Sequence, residues 1–390
     1  MTSWTARGGL AEATVDLDAI AHNTEVLAAR ATAPVLAVVK ADAFGHGMPP
    51  VARTVLDAGA TWLGVATNAE ALRLRESGVT APVLSWLHAH DEDFEPAILA
   101  GVDLGVSSAA HLERVAECAT RVGVRASVHL KVDTGLRRGG ADHTAWRALL
   151  DRAVRQQRRG RLVVRGVWSH LGAAGVPAVS PPVAAQVRAF ESALREARDA
   201  GLDPELRHLA NSAATLSEPT THYDLVRVGI ALYGVEPVAG RVTGLRPAMT
   251  LRSRAVLVKK VPAGEGVSYE HRYRTVGEST LALVPVGFAD GVPRLASNRG
   301  AALLAGRRRP VAGLVAMDQL VLDLGRDEAN LGDEVLVLGP GDDGEPTAAE
   351  WAAWAETNPH EILTGIGARI PRRYLGGARA SRELEELSLV

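Results

Sequence analysis

A single cysteine, Cys118, occurs in 390 residues, so no internal disulfide can form and a reducing, cytoplasmic setting is expected. No uninterrupted apolar run approaches the roughly 20 residues that a membrane-spanning helix needs. Residues Met1 to Leu10 lack the charged-then-apolar layout of a secretory signal. No long basic block is present and the net charge is −2, which argues against nucleic acid or an anionic membrane as a partner. The run Arg307-Arg308-Arg309 before Pro310 reads as a solvated hairpin tip. No internal repeat of fixed period and no low-complexity segment stands out. What is there is an ordinary globular composition, 47 % apolar and 23 % charged, at a length that favours two domains.

The first two thirds alternate short β-rich runs with longer helical patterns. Candidate strands are Val35–Lys40, Trp62–Thr67, Pro82–Leu87, Val102–Val106, Ala126–Val132, Leu162–His170, Leu206–Ala210 and Tyr223–Val228. Between them, stretches such as Ala69–Ser77, Ala109–Val122, Thr144–Gln157 and Val183–Ala200 carry apolar residues at helical spacing. Several end in glycine (Gly78, Gly123, Gly160, Gly201), the usual helix stop. About eight β–α units in roughly 230 residues is the rhythm of an α/β fold of the (β/α)8 TIM-type barrel; a doubly wound open sheet shares that alternation.

After about Gly240 the runs become shorter, valine-rich and broken by turn signals such as Pro262-Ala263-Gly264 and Ala289-Asp290-Gly291. Arg254–Lys259, Thr280–Val286 and Glu334–Leu338 read as antiparallel strands. The expected division is a barrel over 1–243 and a mainly β domain over 244–390.

In a barrel, functional residues belong at the C-terminal ends of the strands. The first candidate strand runs straight into Lys40. A lysine there is partly desolvated, its pKa falls, and its amine suits Schiff-base chemistry; position alone is equally consistent with a lysine capping a strand in solvent. The glycine-punctuated loop Ala41-Asp42-Ala43-Phe44-Gly45-His46-Gly47 follows, suited to close approach of a ligand.

The segment Val39 to Gly47 resembles the pyridoxal-phosphate attachment motif of the alanine racemase family, with phenylalanine where tyrosine is usual. The resemblance extends from Asp16-Leu17-Asp18 to Pro371-Arg372 as several separated motifs in the family's order. It implies an enzyme that interconverts L- and D-alanine through a pyridoxal 5'-phosphate aldimine, by a two-base mechanism, supplying D-alanine for peptidoglycan. Lys40 would carry the cofactor and serve as one base. In Lys131-Val132-Asp133-Thr134-Gly135-Leu136-Arg137-Arg138 the resemblance assigns Arg138 to the substrate carboxylate, which its planar fork suits. It marks Lys131 as a lysine that relatives can carbamylate, and leaves Arg137 as surface charge.

His170 matches the histidine that packs on the pyridine ring. Asn211 and Ser212 are good N-cap residues on their own terms, and a helix start also receives phosphate. The resemblance places Ser212 on the phosphate with the amides of Gly229 and Ile230, and barrels often bind phosphate after strands seven and eight. Arg227 matches the arginine that faces the pyridine nitrogen. An arginine holds its proton to a pKa above about 12, so it does not protonate that nitrogen, and reprotonation at the α-carbon is favoured over transamination. The resemblance implies Tyr269 as the second base, brought from the partner subunit of a homodimer with shared sites. A tyrosine titrates near about 10 and needs neighbours to act at neutral pH. The Met317 backbone would contact the substrate carboxylate from the same side.

The sequence departs from the family pattern at Phe44, Phe288, Glu270, Leu314 and Ala368, and at Ala173-Ala174-Gly175. Most of these positions belong to the entry corridor, and a less polar, wider entrance is expected. A broad-specificity or specialised-pathway amino-acid racemase is therefore the alternative reading. A decarboxylase on the same barrel would place a cysteine in its second domain, which Cys118 does not fit. A non-catalytic pyridoxal-phosphate carrier resembles a lone barrel. The cluster His88-Ala89-His90-Asp91-Glu92-Asp93 suggests metal chelation at first sight but marks no further ligand set, and no metal is expected.

Overall fold

The computed structural model describes residues 9–175, 183–238 and 240–377. The reading of the first ten residues as lacking a secretory layout falls, up to residue 8, outside them. The chain divides into two compact units. One comprises Ile20–Ala43 and Met48–Leu245; the other takes the N-terminal segment up to Ala19, the short piece Phe44–Gly47, and everything from Arg246.

The first strand, β1 (Ala11–Asp16), lies outside the barrel. The barrel is built from β2 (Val35–Val38), β3 (Trp62–Val65), β4 (Val83–Ser85), β5 (Asp103–Val106), β6 (Ala126–Lys131), β7 (Leu162–Trp168), β8 (Leu206–His208) and β9 (Val226–Val228). All pair in parallel, in the order β8-β7-β6-β5-β4-β3-β2-β9. The ring closes between β8 and β9, where the Asp224 amide donates to the Arg207 carbonyl and the Arg227 amide to the Ala210 carbonyl, each at 3.0 Å. That closure excludes the open doubly wound sheet. β2, β3, β4 and β5 are buried along their whole length, as strands of a parallel sheet clothed in helices must be.

The helices follow from their caps and faces. Helix Ala109–Val122 starts at Ser108, whose side chain accepts the His111 amide, and stops at Gly123 in the left-handed conformation. It buries Leu112, Val115, Ala116 and Ala119 on one face. Helix Val183–Asp199 likewise buries Phe190, Ala193, Leu194 and Ala197.

The second unit holds a six-stranded sheet in the order Arg307–Pro310, Ala301–Leu304, Glu334–Leu338, β10 (Met249–Arg254), β1 and Arg372–Leu375. A three-stranded sheet of Leu257–Val261, Ser279–Val284 and Leu320–Asp323 accompanies it. Three sequence expectations are corrected here. The N-terminal strand, placed with the barrel by a boundary at 243, instead pairs antiparallel with β10 and parallel with Arg372–Leu375. The run Arg254–Lys259 is not one strand: β10 ends at Arg254, and a second strand begins at Leu257 in the other sheet. The arginine run is itself a strand, with the turn at Ala305-Gly306; Arg309 is buried and donates to Asp327 at 2.7 Å. Arg308 lies on the opposite face, as alternation requires, while Arg307 shares the face of Arg309 but is exposed at the start of the strand.

Candidate active site

The C-terminal end of β2 delivers Lys40, and the chain then makes a left-handed helical turn. Ala41, Asp42 and Ala43 have φ of 53°, 52° and 55° with ψ of 49°, 47° and 51°, and Phe44 has φ of 53°. Each L-residue in that conformation costs about 1–2 kcal/mol, so the surroundings must hold the turn. They do so through backbone donors. The Ala41 amide donates to Glu70 Oε1 at 2.6 Å, the Met48 amide to Asp42 Oδ1 at 2.9 Å, and the Ala43 amide to the Val39 carbonyl at 2.8 Å. Glu70 is fixed in turn, its Oε2 accepting the Ala66 and Thr67 amides at the start of its own helix. The spacing Thr67-x-x-Glu70 is legible as a capping box, but the reach of Glu70 across to Ala41 is not.

Lys40 is half-buried, with Nζ 6.0 Å from the Trp86 ring centroid. Burial lowers its pKa, the Arg138 charge lowers it further, and Glu70 opposes both. Lys131 ends β6 with Nζ 4.4 Å over the Trp168 ring. It is pushed down to about 8, by burial first, then by the charges of Arg227 and Arg138. Arg138 itself is exposed, whereas Arg137 next to it adopts a positive φ and pairs with Asp133 at 3.4 Å. Lys40, Lys131, Arg138 and Arg227 thus act on one another at the barrel mouth, where Glu70 and Asp133 alone oppose them in these couplings. Such a cationic excess suits an anionic ligand.

Arg227, in β9, is buried and lowered to about 9 by that burial, so it stays charged at neutral pH. Its Nη1 donates to the His208 carbonyl at 2.8 Å and to His208 Nδ1 at 3.2 Å. Its Nη2 donates to the carbonyls of Ser169 and Leu209 at 2.7 and 3.2 Å and to His170 Nδ1 at 3.4 Å. Among the described residues all five bonds start from Nη atoms, which leaves Nε–H as the donor for a ligand. His170 follows β7 and is held down to about 3, by burial first and then by Arg227, Arg138, Lys131 and Lys40. It is therefore neutral, with Nδ1 accepting from Arg227.

The structure brings Ser212 and the Gly229 loop together. Asn211 caps helix Ser212–Ser217, accepting the Ala214 amide at 3.1 Å. Ser212 Oγ accepts the Gly229 amide at 2.8 Å, and Ile230 opens the short turn Ile230–Tyr233. Tyr233 anchors that turn to the barrel, its hydroxyl donating to the Val38 carbonyl at 3.0 Å.

The remaining predicted residues lie in the second unit. Tyr269 is 66 % exposed in a short 3-10 turn, Tyr269–His271, entered through Ser268 at φ 61°. Ser268 Oγ donates to the Leu314 carbonyl at 2.7 Å, linking this turn to the segment before Met317. Glu270, which replaces the family's usual glycine, has φ 60° and bonds to Arg272 Nε at 2.6 Å. Met317 is 56 % exposed, while its carbonyl accepts the Ala289 amide at 2.9 Å. Gly287 permits that approach, since a side chain there would overlap the Ala316 and Met317 carbonyls. Phe44 is buried beside His360, with ring centroids 5.8 Å apart, and Phe288 and Ala368 are exposed. The His88 ring packs edge-on against Phe94 and His111, and its Nε2 bonds to Ser85 Oγ at 2.9 Å.

Sequence reasoning passed over Glu70, Trp86, Trp168, His208, His129 and Asp103. Period-2 alternation was the available signal for His129, which shares a strand face with Lys131.

Profiles of two protein families match this chain: the alanine racemase N-terminal domain over residues 15–237 and the alanine racemase C-terminal domain over 248–374. An alanine racemase of Frankia casuarinae is 53 % identical over 368 residues, 93 % of this chain and 96 % of its own. One of Thermobifida fusca is 51 % identical, covering 95 % of this chain and 99 % of its own. The crystal structure of alanine racemase from D-cycloserine-producing Streptomyces lavendulae superposes with a TM-score of 0.93 at 48 % identity, covering 95 % and 98 % of the two chains. The chain belongs to the alanine racemase family of isomerases.

Proposed function

We propose that this protein interconverts L- and D-alanine with pyridoxal 5'-phosphate, using Lys40 and Tyr269 as the two bases, in a cytoplasmic homodimer that supplies D-alanine for peptidoglycan. The observation that carries the reading is Arg227: a buried, charged side chain whose Nη donors are spent and whose Nε–H is left over. Among the described residues, no helix is long and apolar enough to cross a membrane.

The residues fit the cofactor's chemistry. Lys40, depressed in pKa by burial, supplies the amine for its aldehyde. Ser212 with the Gly229 and Ile230 amides, opened by Asn211, suits its phosphate. His170 suits its ring face and Arg227 Nε–H its ring nitrogen. When bound, the cofactor supplies an electron sink that acidifies the α-proton of an attached amino acid.

The chain's own groups then divide the work. Lys40 Nζ, released by substrate, takes or returns a proton on one face. Tyr269 Oη, from the partner copy, does so on the other, because one group does not serve both faces. Tyr269, Met317 and Phe288 are exposed on the second unit, as a surface that completes another copy's site would be. Arg138 pairs with the substrate carboxylate, and the Met317 backbone adds a contact to it. Arg227 keeps its proton, so it would leave the cofactor's ring nitrogen unprotonated and temper the electron sink that the cofactor would supply, favouring return of a proton to the α-carbon. Lys131, at about 8, has a neutral fraction able to add carbon dioxide; the resulting carbamate, formed with loss of a proton, pairs with Arg138.

The test follows α-proton loss by NMR in D2O across a panel of L-amino acids, with chiral analysis of products. Exchange and D-product from alanine alone support the reading. Exchange with serine or larger residues gives the broad-specificity racemase instead, and no exchange with any of them sinks the proposal.

A further inference from the structure

A hydrogen-bonded chain crosses the barrel interior from its N-terminal end to the mouth. Asp103 opens β5, and its Oδ2 lies 2.9 Å from His129 Nε2. His129 Nδ1 lies 2.8 Å from His208 Nε2, and His208 Nδ1 lies 3.2 Å from Arg227 Nη1. Asp103, His129, His208 and Arg227 are all buried. Arg165 Nη1 stands 3.3 Å from the same Asp103 oxygen, with Glu205 3.4 Å from its Nε, and Arg75 acts on Asp103 through space.

The rings are tightly held. Trp168 stacks on His208 at 5.7 Å with an interplanar angle of 7°, and Trp62 packs edge-on to His129 at 5.8 Å. Gly166 in β7 leaves the space that the His129 ring fills.

The ends dictate the direction of every bond. A guanidinium donates and does not accept, so His208 Nδ1 accepts from Arg227. His208 then carries its proton on Nε2 and donates to His129 Nδ1. His129 in turn carries its proton on Nε2 and donates to the Asp103 carboxylate. Protonating either ring would set an N–H against the Arg227 N–H, directly for His208 and through a reversed His208 for His129. Both rings are therefore neutral and of the same tautomer.

Resting on the racemase reading for its kinetic part, we infer that Asp103 and His129 are remote positioning residues: they supply the acceptor for the proton that His208 must carry on Nε2, lock its ring, and so hold the Arg227 guanidinium with Nε–H toward the ligand. A partner hydrogen-bonded to the far side of a ligand-contacting group sets the orientation of that group.

The test is a long-range 1H–15N correlation spectrum of the histidine-labelled holoenzyme, assigned with His129→Gln and His208→Gln. Both rings are expected as neutral Nε2–H tautomers, the pattern that the Arg227 and Asp103 ends impose. In His129→Gln the amide accepts from His208 and donates to Asp103, so His208 keeps its tautomer and kcat stays within about threefold. In His129→Leu that acceptor is gone and the His208 Nε2–H is left unpaired; its proton resonance is expected to move upfield, the Nε2–H tautomer being still imposed by Arg227, and kcat to fall about tenfold, with KM within about twofold. An Nδ1–H or doubly protonated ring in the wild-type protein overturns the inference, as does equal damage by Gln and Leu. The wild-type spectrum decides the tautomers even if the leucine variant fails to fold. It does so whichever substrate the enzyme turns over, so failure of the racemase reading is separately visible.

Discussion

Glu70 accepts the Ala41 amide at 2.6 Å, so the residue after Lys40 is held by a carboxylate from a neighbouring helix. Glu70→Ala would release three backbone amides, those of Ala41, Ala66 and Thr67. With charged hydrogen bonds worth about 1.5–3 kcal/mol each and water replacing part of them, a loss of about 2–4 kcal/mol in urea unfolding is expected. Glu70 also raises the Lys40 pKa, so its removal lowers that pKa further. The pH midpoint for reloading cofactor-free enzyme with pyridoxal phosphate should move down; a midpoint that moves up would contradict the electrostatic account.

If Tyr269 acts across subunits, Lys40→Ala and Tyr269→Phe should each be inactive alone. Mixed after dissociation and reassembly, they should regain activity, because each hybrid dimer pairs an intact Lys40 with an intact Tyr269. No recovery from verified hybrids would place both bases in one chain.

His88 and His170 are held down to about 3 and His111 to about 4, in each case chiefly by burial. Unfolded histidine titrates near 6.5, so between about pH 6.5 and about 4 the unfolded chain binds protons that the folded chain refuses. Stability therefore falls as pH falls through that window. Urea midpoints at pH 7 and pH 5 should show it, and His111→Phe should lessen the slope. A midpoint independent of pH there would refute the shifts.

The arginine strand offers a contrast within a few residues. Arg309 is buried and donates to the carbonyls of Leu304 and Leu324 as well as to Asp327, whereas Arg307 reaches the same carboxylate from solvent. Arg309→Ala is expected to cost about 2–4 kcal/mol, by stranding buried acceptors. Arg307→Ala should have little effect, as for exposed ion pairs generally. Thermal unfolding of the two variants separates them.

Glu270 sits at φ 60° where glycine is usual. Glu270→Gly should raise stability by about 0.5–1 kcal/mol, since relief of the left-handed backbone exceeds the exposed pair with Arg272. A lower unfolding temperature would mean that the ion pair outweighs the strain.

Most of the barrel was legible because its signals are local. Each strand is a short apolar run, and a helix such as Ala109–Val122 announces both ends by Ser108 and Gly123. Long-range pairing was not. Nothing in Ala11–Asp16 says that it will pair with a strand more than two hundred residues away, and nothing in Arg254–Lys259 shows the switch of sheet at Ala255-Val256. The arginine run misled because its charge suggested solvent, while alternation and Asp327 put Arg309 inside. In the site, positions that carry a family motif could be named one by one. The network from Asp103 to His208 joins residues on three different strands, and only closure of the barrel makes them neighbours.

The turn after Lys40 has one more consequence. Angles near +53° and +49° at Ala41 and Ala43 are the mirror image of an ordinary helix, so the strain there is the crowding of Cβ against the carbonyl that this handedness imposes on an L-residue. A semisynthetic chain carrying D-alanine at 41 and 43 would rest in its own helical basin.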